Sequence, residues 1–179
     1  QSSVNSFDHV LVEGNSAAAN ADPLVYDMMA AFYTACSSFI AQNFGARKKK
    51  RILQTYLICL FYSFITSLVL GVGIYLARYP FLYLFTSDKA VVEAGITRLS
   101  IMALSYSASA FMDASIAASR GLGKTAVPTF VVVMGSCVFR IIWIYTIFAY
   151  FHTIQSLYIL YVFSWGITAI AVSYTHLRA

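Results

Sequence analysis

Two charged residues lie inside long apolar runs of the sequence, where a charge usually has a function. Asp113 has no cation within a helical turn on either side, and Arg140 lies in the apolar run 137–143. A charge at the centre of a membrane costs about 2.5 to 3.5 kcal/mol on insertion scales, so such residues face protein or water and often relay ions or protons. Asp113 is therefore the leading candidate for coupling to a cation or a proton. The alternative is a structural acid that is hydrogen-bonded to Ser109, Ser115 or a neighbouring helix.

Two other charges are secondary candidates. Arg140 could pair with Asp113 across a helix bundle or extend outward past Tyr145, and a structural role is favoured over contact with a substrate. Asp27 lies one turn into its helix near the outer face, where the helix dipole favours a solvated acid. The sequence contains no pair of nucleophile and base and no cluster of metal ligands, so we expect neither an enzyme nor a metal site.

The composition predicts a membrane protein. Of the 179 residues, 60% are hydrophobic and 11% are charged, whereas soluble domains carry about 25% charged residues. An all-α, polytopic transmembrane bundle is the expected fold class. Most of the net charge of +5 falls in loops, so nucleic acid is not an expected partner. Three cysteines, Cys36, Cys59 and Cys137, lie inside apolar runs, where reduced thiols are expected.

Apolar runs separated by polar turns predict five membrane spans, at residues 23–43, 52–77, 89–119, 128–151 and 157–172. Roughly 20 apolar residues are needed to cross a bilayer, so the last run is short. Residues 1–19 are too polar to span. We expect them to be the outer end of a span that begins before Gln1, followed by a loop.

Residues typical of helix ends mark the boundaries of the spans. Asp22 is predicted to be the N-cap of the first span, and Gly45 is placed where a glycine would close it. Ser87 or Asp88 is predicted to cap the third helix. The first turns of that helix include Arg98 and are expected to be exposed to water.

One loop fixes the predicted orientation in the membrane, because basic loops stay on the cytoplasmic side. This basic loop consists of Arg47, Lys48, Lys49, Lys50 and Arg51. Arg120 and Lys124, in a later loop of the chain, are predicted to lie on the same side of the membrane. Arg78, Lys89 and Arg98 are predicted to lie on the outer side. Seven Lys and Arg residues inside against three outside satisfy the positive-inside rule.

Both ends of the sequence look incomplete. The chain begins with Gln1, and we expect it to be a fragment. Residues 173–179 break the apolar pattern, and we interpret them as a non-native tail, with a genuine cytoplasmic tail as the alternative. The expected domain is therefore residues 1–172.

The order of three motifs resembles the MATE (multidrug and toxic compound extrusion) family. They are Gln42-Asn43-Phe44-Gly45-Ala46, the basic loop that follows, and Arg120-Gly121-Leu122-Gly123-Lys124-Thr125 with Pro128 behind it. The resemblance implies twelve spans in two six-helix lobes around a central cavity. Residues 1–6 are similar to the end of the seventh span, which would make this chain most of the C-terminal lobe, with a clipped twelfth span.

The resemblance implies a secondary-active antiporter that exports drugs or organic cations in exchange for Na⁺ or H⁺, with no other cofactor. The expected partners are the drug or cation, the lipid bilayer and a missing N-terminal lobe, in the cytoplasmic membrane. The family carries a coupling acid on the tenth span; at that place the sequence has Ser109, and Asp113 lies one turn nearer the loop. The main alternative is a flippase for lipid-linked oligosaccharide or peptidoglycan precursors. A non-transporting membrane subunit is the alternative from another class.

Overall fold

The computed structural model describes residues 8–151 and 153–177, and the side chains of all of these except residues 104 and 173–177. Every regular element in this part of the chain is helical, which confirms the predicted all-α bundle. The helices are α1 (His9–Ala19), α2 (Ala21–Gly45), α3 (Lys49–Leu76), α4 (Arg78–Tyr83), α5 (Lys89–Gly121), α6 (Ala126–Phe151) and α7 (Ile154–Leu177).

By length and composition, four helical stretches can cross a membrane. They are His9–Gly45, which joins α1 and α2, together with α3, α6 and the apolar part of α7. Helix α5 adds a fifth span if its two halves, Lys89–Ala103 and Ser105–Gly121, which meet at 42°, cross as one. With α5 counted as one span, the count agrees with the five spans that the sequence predicts; without it, the count is four.

The prediction of a loop before residue 20 is wrong within the described residues. Helix α1 runs into α2 through Asn20, whose backbone is itself helical, while residues 1–7 lie outside the described part. Close packing explains the helix, because a Cβ at Gly14 would lie 2.7 Å from the Val91 carbonyl oxygen and 2.8 Å from the Gly95 nitrogen. Glycines at both positions let α1 lie directly against the first half of α5, so tertiary contact overrides the polar local sequence.

Helix α5 forms the centre of the bundle and contacts α1, α2, α3, α4 and α7. Along its length it joins three buried apolar clusters, which include Leu99 near its start, Met102 in its middle and Ala117 near its end. The small residues Gly71 and Ala103 bring α3 and α5 into backbone contact, since a Cβ at Gly71 would collide with the Ala103 carbonyl group.

The helix ends agree only in part with the predicted caps. Asp88 is the N-cap of α5, and its carboxylate accepts a hydrogen bond of 2.8 Å from the Ala90 amide. Gly45 is the last helical residue of α2 but does not take the left-handed conformation of a closing glycine. Arg47, two residues later, takes it with a φ of 55°, and the Lys48 amide donates to the Asn43 carbonyl at 2.9 Å. This is the Schellman arrangement with arginine at the position that normally holds glycine.

The last two spans are longer than predicted. Helix α6 begins at Ala126, with Pro128 inside its first turn, and α7 runs from Ile154 to Leu177 over 24 residues. Trp143 of α6 is bonded to the first turn of α7, because its indole Nε1 donates a hydrogen bond to the Ser156 carbonyl at 3.1 Å. Helix α7 continues through residues 173–177, while residues 178–179 lie outside the described part. That these last residues are non-native stays a prediction.

Helix α6 is irregular in two places. Met134–Val138 and Ile144–Phe148 are π-helical, and the ordinary α-helical turn between them carries Arg140. A π-helical turn bonds each amide one residue further back than an α-helix does, and such turns often occur at functional sites. The carbonyl of Gly135 in the first segment accepts a hydrogen bond from the Ser164 hydroxyl on α7 at 2.9 Å.

Candidate functional site

A cavity of about 690 Å³ lies between α2, α5, α6 and α7. Its lining combines carboxylates, arginines and aromatic rings and includes Asp22, Asp27, Tyr33, Arg98, Tyr106, Asp113, Arg120, Tyr161 and Trp165. Two of these acids, Asp27 and Asp113, are candidates that the sequence predicts. The volume falls in the range typical of sites for small organic molecules.

Asp113 lies in the second half of α5 and lines the cavity. In the described part of the chain, no hydrogen bond or ion pair engages its carboxylate. The two serines proposed as structural partners bond elsewhere: the Ser109 hydroxyl donates to the Tyr106 carbonyl, and the Ser115 hydroxyl donates to the Phe111 carbonyl, both at 2.8 Å. A half-buried carboxylate that borders open space is available to a cation, a proton or water.

Asp27 lies on α2 and lines the same cavity with an exposed side chain. The sequence placed it in the first turn of a helix, near the positive end of the dipole. Because α1 runs directly into α2, Asp27 instead lies within the body of the 37-residue stretch His9–Gly45. Its place beside the cavity, and not the helix dipole, is the feature that distinguishes it.

Arg140 does not pair with Asp113. Its Nε donates to the Ser164 hydroxyl at 3.2 Å, and its guanidinium lies 4.4 Å from the centre of the Tyr161 ring. Both contacts join α6 to α7. Arg140 is absent from the cavity lining, while Tyr161 belongs to it. The geometry supports the structural role for Arg140, achieved through a hydroxyl and an aromatic face in place of the expected acid.

The structure also contains a polar cluster that the sequence analysis missed. Asp22, predicted to be an N-cap, instead accepts hydrogen bonds from the Arg98 Nη2 and from the Tyr106 hydroxyl, the latter at 2.5 Å. The Arg98 Nη1 donates to the Asn15 Oδ1 at 2.8 Å, and the Tyr158 hydroxyl donates to the same oxygen at 3.3 Å. We call these five residues the Asp22 cluster. They link α1, α2, α5 and α7 at the end of the cavity opposite the basic loop.

Arg98 is the buried member of its ion pair. Its side chain is 11% exposed, while that of Asp22 is 37% exposed and borders the cavity. Arg98 was expected to be wet, but α1 covers it. Asp22 and Arg98 are 76 residues apart in the sequence. No local sequence pattern therefore indicates this ion pair. The polar residue Asn15, in the segment predicted to be a loop, is the sequence feature that comes nearest to indicating a polar contact there.

The charge left in the cavity is mainly negative. Asp22 and Arg98 neutralise each other, so Asp27 and Asp113 remain against Arg120, which lies at the rim with its guanidinium 5.7 Å from the Tyr33 ring. Aromatic faces near these acids attract cations through their ring quadrupoles. In the described part of the chain, no group of three His, Cys, Asp or Glu residues could hold a metal ion. The carboxylates and aromatic faces of the lining give the cavity groups that can bind an organic cation, a small monovalent ion or a proton.

Comparison with known proteins agrees with this architecture. The family model described as MatE matches residues 2–146. Among curated proteins, no sequence match was found. Among solved structures, the chain is similar to the crystal structure of the eukaryotic MATE transporter AtDTX14, with a TM-score of 0.84 and 19% identity. That match covers 95% of this chain and 38% of the transporter chain, so this chain spans well under half of its length.

Proposed function

The chain belongs to the MatE family of membrane transporters, and from this premise we propose that it works as a secondary-active antiporter. It exports organic cations or drugs in exchange for Na⁺ or H⁺ across the cytoplasmic membrane. The observation that carries this proposal is the cavity in which Asp113 lies among aromatic rings, with no hydrogen bond or ion pair to its carboxylate among the described residues. A carboxylate can exchange one cation for another only if no protein group occupies it permanently.

The roles of the residues follow from their surroundings. Asp113 binds the coupling ion, because it is half-buried and open to the cavity. Asp27 is exposed on α2, where it lines the same cavity and attracts cations to the site. Arg140 positions Tyr161 by stacking on its ring from behind, so an aromatic face remains part of the cavity wall.

Transport requires the site to open alternately to the two sides of the membrane. In transporters built from two similar halves, the halves rock against each other around a fixed central site. We propose that this chain supplies one such half and that a second lobe closes its cavity. The coupling ion and the substrate then compete for Asp113, so that inward release of one permits outward release of the other.

The alternative function, flipping of a lipid-linked precursor, needs a cationic cavity to hold a pyrophosphate group. Arg140 does not line the cavity, and Arg98 is already neutralised by Asp22. Arg120 remains, but it lies at the rim of a cavity whose lining also includes Asp27 and Asp113, and neither acid forms an ion pair in the described part of the chain. The charge balance therefore favours a cationic substrate over an anionic lipid precursor.

Removal of the charge at Asp113 tests the proposal. We expect Asp113→Asn in the full-length protein to abolish efflux of a fluorescent organic cation from proteoliposomes under an imposed Na⁺ or pH gradient, without loss of folded protein. Asparagine keeps the shape of the side chain but cannot bind or release a proton.

Asp88→Asn is the matched control. It also removes one carboxylate, but outside the cavity, and asparagine is an equally good N-cap. Wild-type efflux by the Asp113 variant would overturn the assignment and move the search to Asp27. Absence of efflux by the wild-type protein under every imposed gradient would favour a non-transporting subunit.

A further inference from the structure

Seven cations are gathered at one end of the bundle. The residues of the basic loop, 47–51, are all exposed, and so are Arg120 and Lys124 in the turn between α5 and α6. Gly121 packs against Ser37 and Ile40 near the end of α2, which brings the two turns to the same end of the molecule. We call this group of seven cations the basic end.

In the part of the chain that the structure describes, no acidic side chain forms an ion pair with a cation of the basic end. Six of the seven Asp and Glu residues lie in or beside α1, at the start of α2 or at the start of α5, and the seventh is Asp113, two turns inside the bundle. The ion pair Arg98–Asp22 and the contact between His9 and Glu13, which are the contacts of this kind in the described part of the chain, both lie at the opposite end. The positive field of these exposed cations therefore attracts anions from outside the chain.

Exposed apolar side chains begin directly beside these cations. Phe44 is 54% exposed and Leu53 is 55% exposed on the two sides of the basic loop, and Phe130 is 66% exposed one turn into α6. A phospholipid fits this combination, because its headgroup carries the negative charge and its acyl chains cover apolar helix faces. A soluble polyanion would match the cations alone.

We propose that the basic end is a binding surface for anionic phospholipids, which neutralise its cations through their headgroup phosphates. The basic loop and the Arg120 turn then hold lipids at the same end as the rim of the cavity, where Arg120 stacks near Tyr33. This inference depends on the exposure and charge of the surface. It holds whether or not the chain transports organic cations.

The test compares two double variants of the full-length protein in nanodiscs that contain phosphatidylcholine and phosphatidylglycerol. Lys49→Gln with Lys50→Gln removes two cations from the basic end, while Arg78→Gln with Lys89→Gln removes two from the other end. Native mass spectrometry or spin-labelled lipids measure the preference for phosphatidylglycerol. Each basic residue near an anionic surface contributes about fivefold to association, so we expect the first variant to lose most of the preference and the second to keep it.

Two results would overturn the proposal. One is an equal loss in both double variants, which would mean that anionic lipid follows net charge and not this surface. The other is displacement of the lipid by inorganic phosphate or a short oligonucleotide at equal concentration, which would identify a soluble polyanion as the better partner. If a variant fails to fold, the wild-type protein still decides, because a preference that does not weaken with added salt contradicts a charge-based surface.

Discussion

Replacing Asp22 by asparagine should destabilise the protein more than replacing Arg98 by methionine, although each change breaks the same ion pair. Removing one partner of a fully buried pair costs about 3–5 kcal/mol, because a charge is left uncompensated. Here the two partners differ in burial, since Arg98 is 11% exposed and Asp22 is 37% exposed. The variant that leaves arginine alone therefore carries the larger penalty.

The contacts of each side chain set the expected sizes. After Asp22→Asn, Arg98 keeps the two oxygens of Asn15 as neutral acceptors, so we expect a loss of roughly 2–3 kcal/mol in the free energy of unfolding, below the fully buried value. After Arg98→Met, the Asp22 carboxylate keeps the Tyr106 hydroxyl and reaches water in the cavity. Methionine also fills most of the space, and the expected loss is roughly 1 kcal/mol.

The assay is reversible unfolding of the purified protein in detergent, followed by helical circular dichroism, for both single variants and the double variant. The double variant should lose little more than Arg98→Met alone, because the buried charge is already gone, and the cycle should show a coupling of at least about 1 kcal/mol. A larger loss for Arg98→Met, or simple additivity, would refute the idea that desolvation of Arg98 dominates this cluster.

Three other predictions concern packing, a cap and orientation. Gly121→Ala should cost roughly 1–3 kcal/mol of stability, because its Cβ would lie 2.7 Å from the Ser37 carbonyl oxygen, whereas Gly73→Ala, which meets nothing within 4 Å, should be neutral or stabilising in the same melt. Arg47→Gly should raise the free energy of unfolding by roughly 1 kcal/mol, because glycine relieves the left-handed φ of 55°. If Arg47→Gly gives no gain in stability and Arg51→Gly is also harmless, the proposed cap is contradicted. In cells, with the three native cysteines replaced, Ser87→Cys should react with an impermeant thiol reagent from outside and Lys49→Cys should not, and the reverse pattern would invert the topology.

The parts of the fold that depend on composition could be predicted from the sequence. Long apolar runs must become helices in a membrane, since their backbone groups have no other partners. The predicted runs all lie within helices, to within a residue at their ends, and the largest error is at the first, where the helical stretch begins at His9 and not at Pro23. The prediction failed at α1 because its local sequence is polar. This segment is helical because it packs against α5, and Gly14 and Gly95 permit the close approach. Such a contact between distant segments leaves no periodic signal.

The candidate site divides in the same way. Asp113 was found because an isolated acid in an apolar run is costly wherever it points. Its position on the cavity wall, with no hydrogen bond or ion pair to its carboxylate among the described residues, depends on tertiary packing that no local pattern encodes. Asp22 and Arg98 were misjudged because each lies beside a predicted boundary, where charges are ordinary. The sequence could not show that a helix would cover Arg98 and leave Asp22 as its counter-ion.

The two π-helical segments of α6 affect the direction in which Arg140 points. Each such turn is equivalent to one extra residue taken into a helix without a loop. Since successive residues are about 100° apart around a helix axis, the first segment, Met134–Val138, rotates everything after it by about that angle. The deletion of a single residue there would turn Arg140 away from Ser164 and Tyr161 while leaving the side chain itself intact. In an alignment of α6 with related helices, we therefore expect a one-residue gap before Arg140. The number of inserted residues, and not their type, then decides which face of the helix Arg140 occupies.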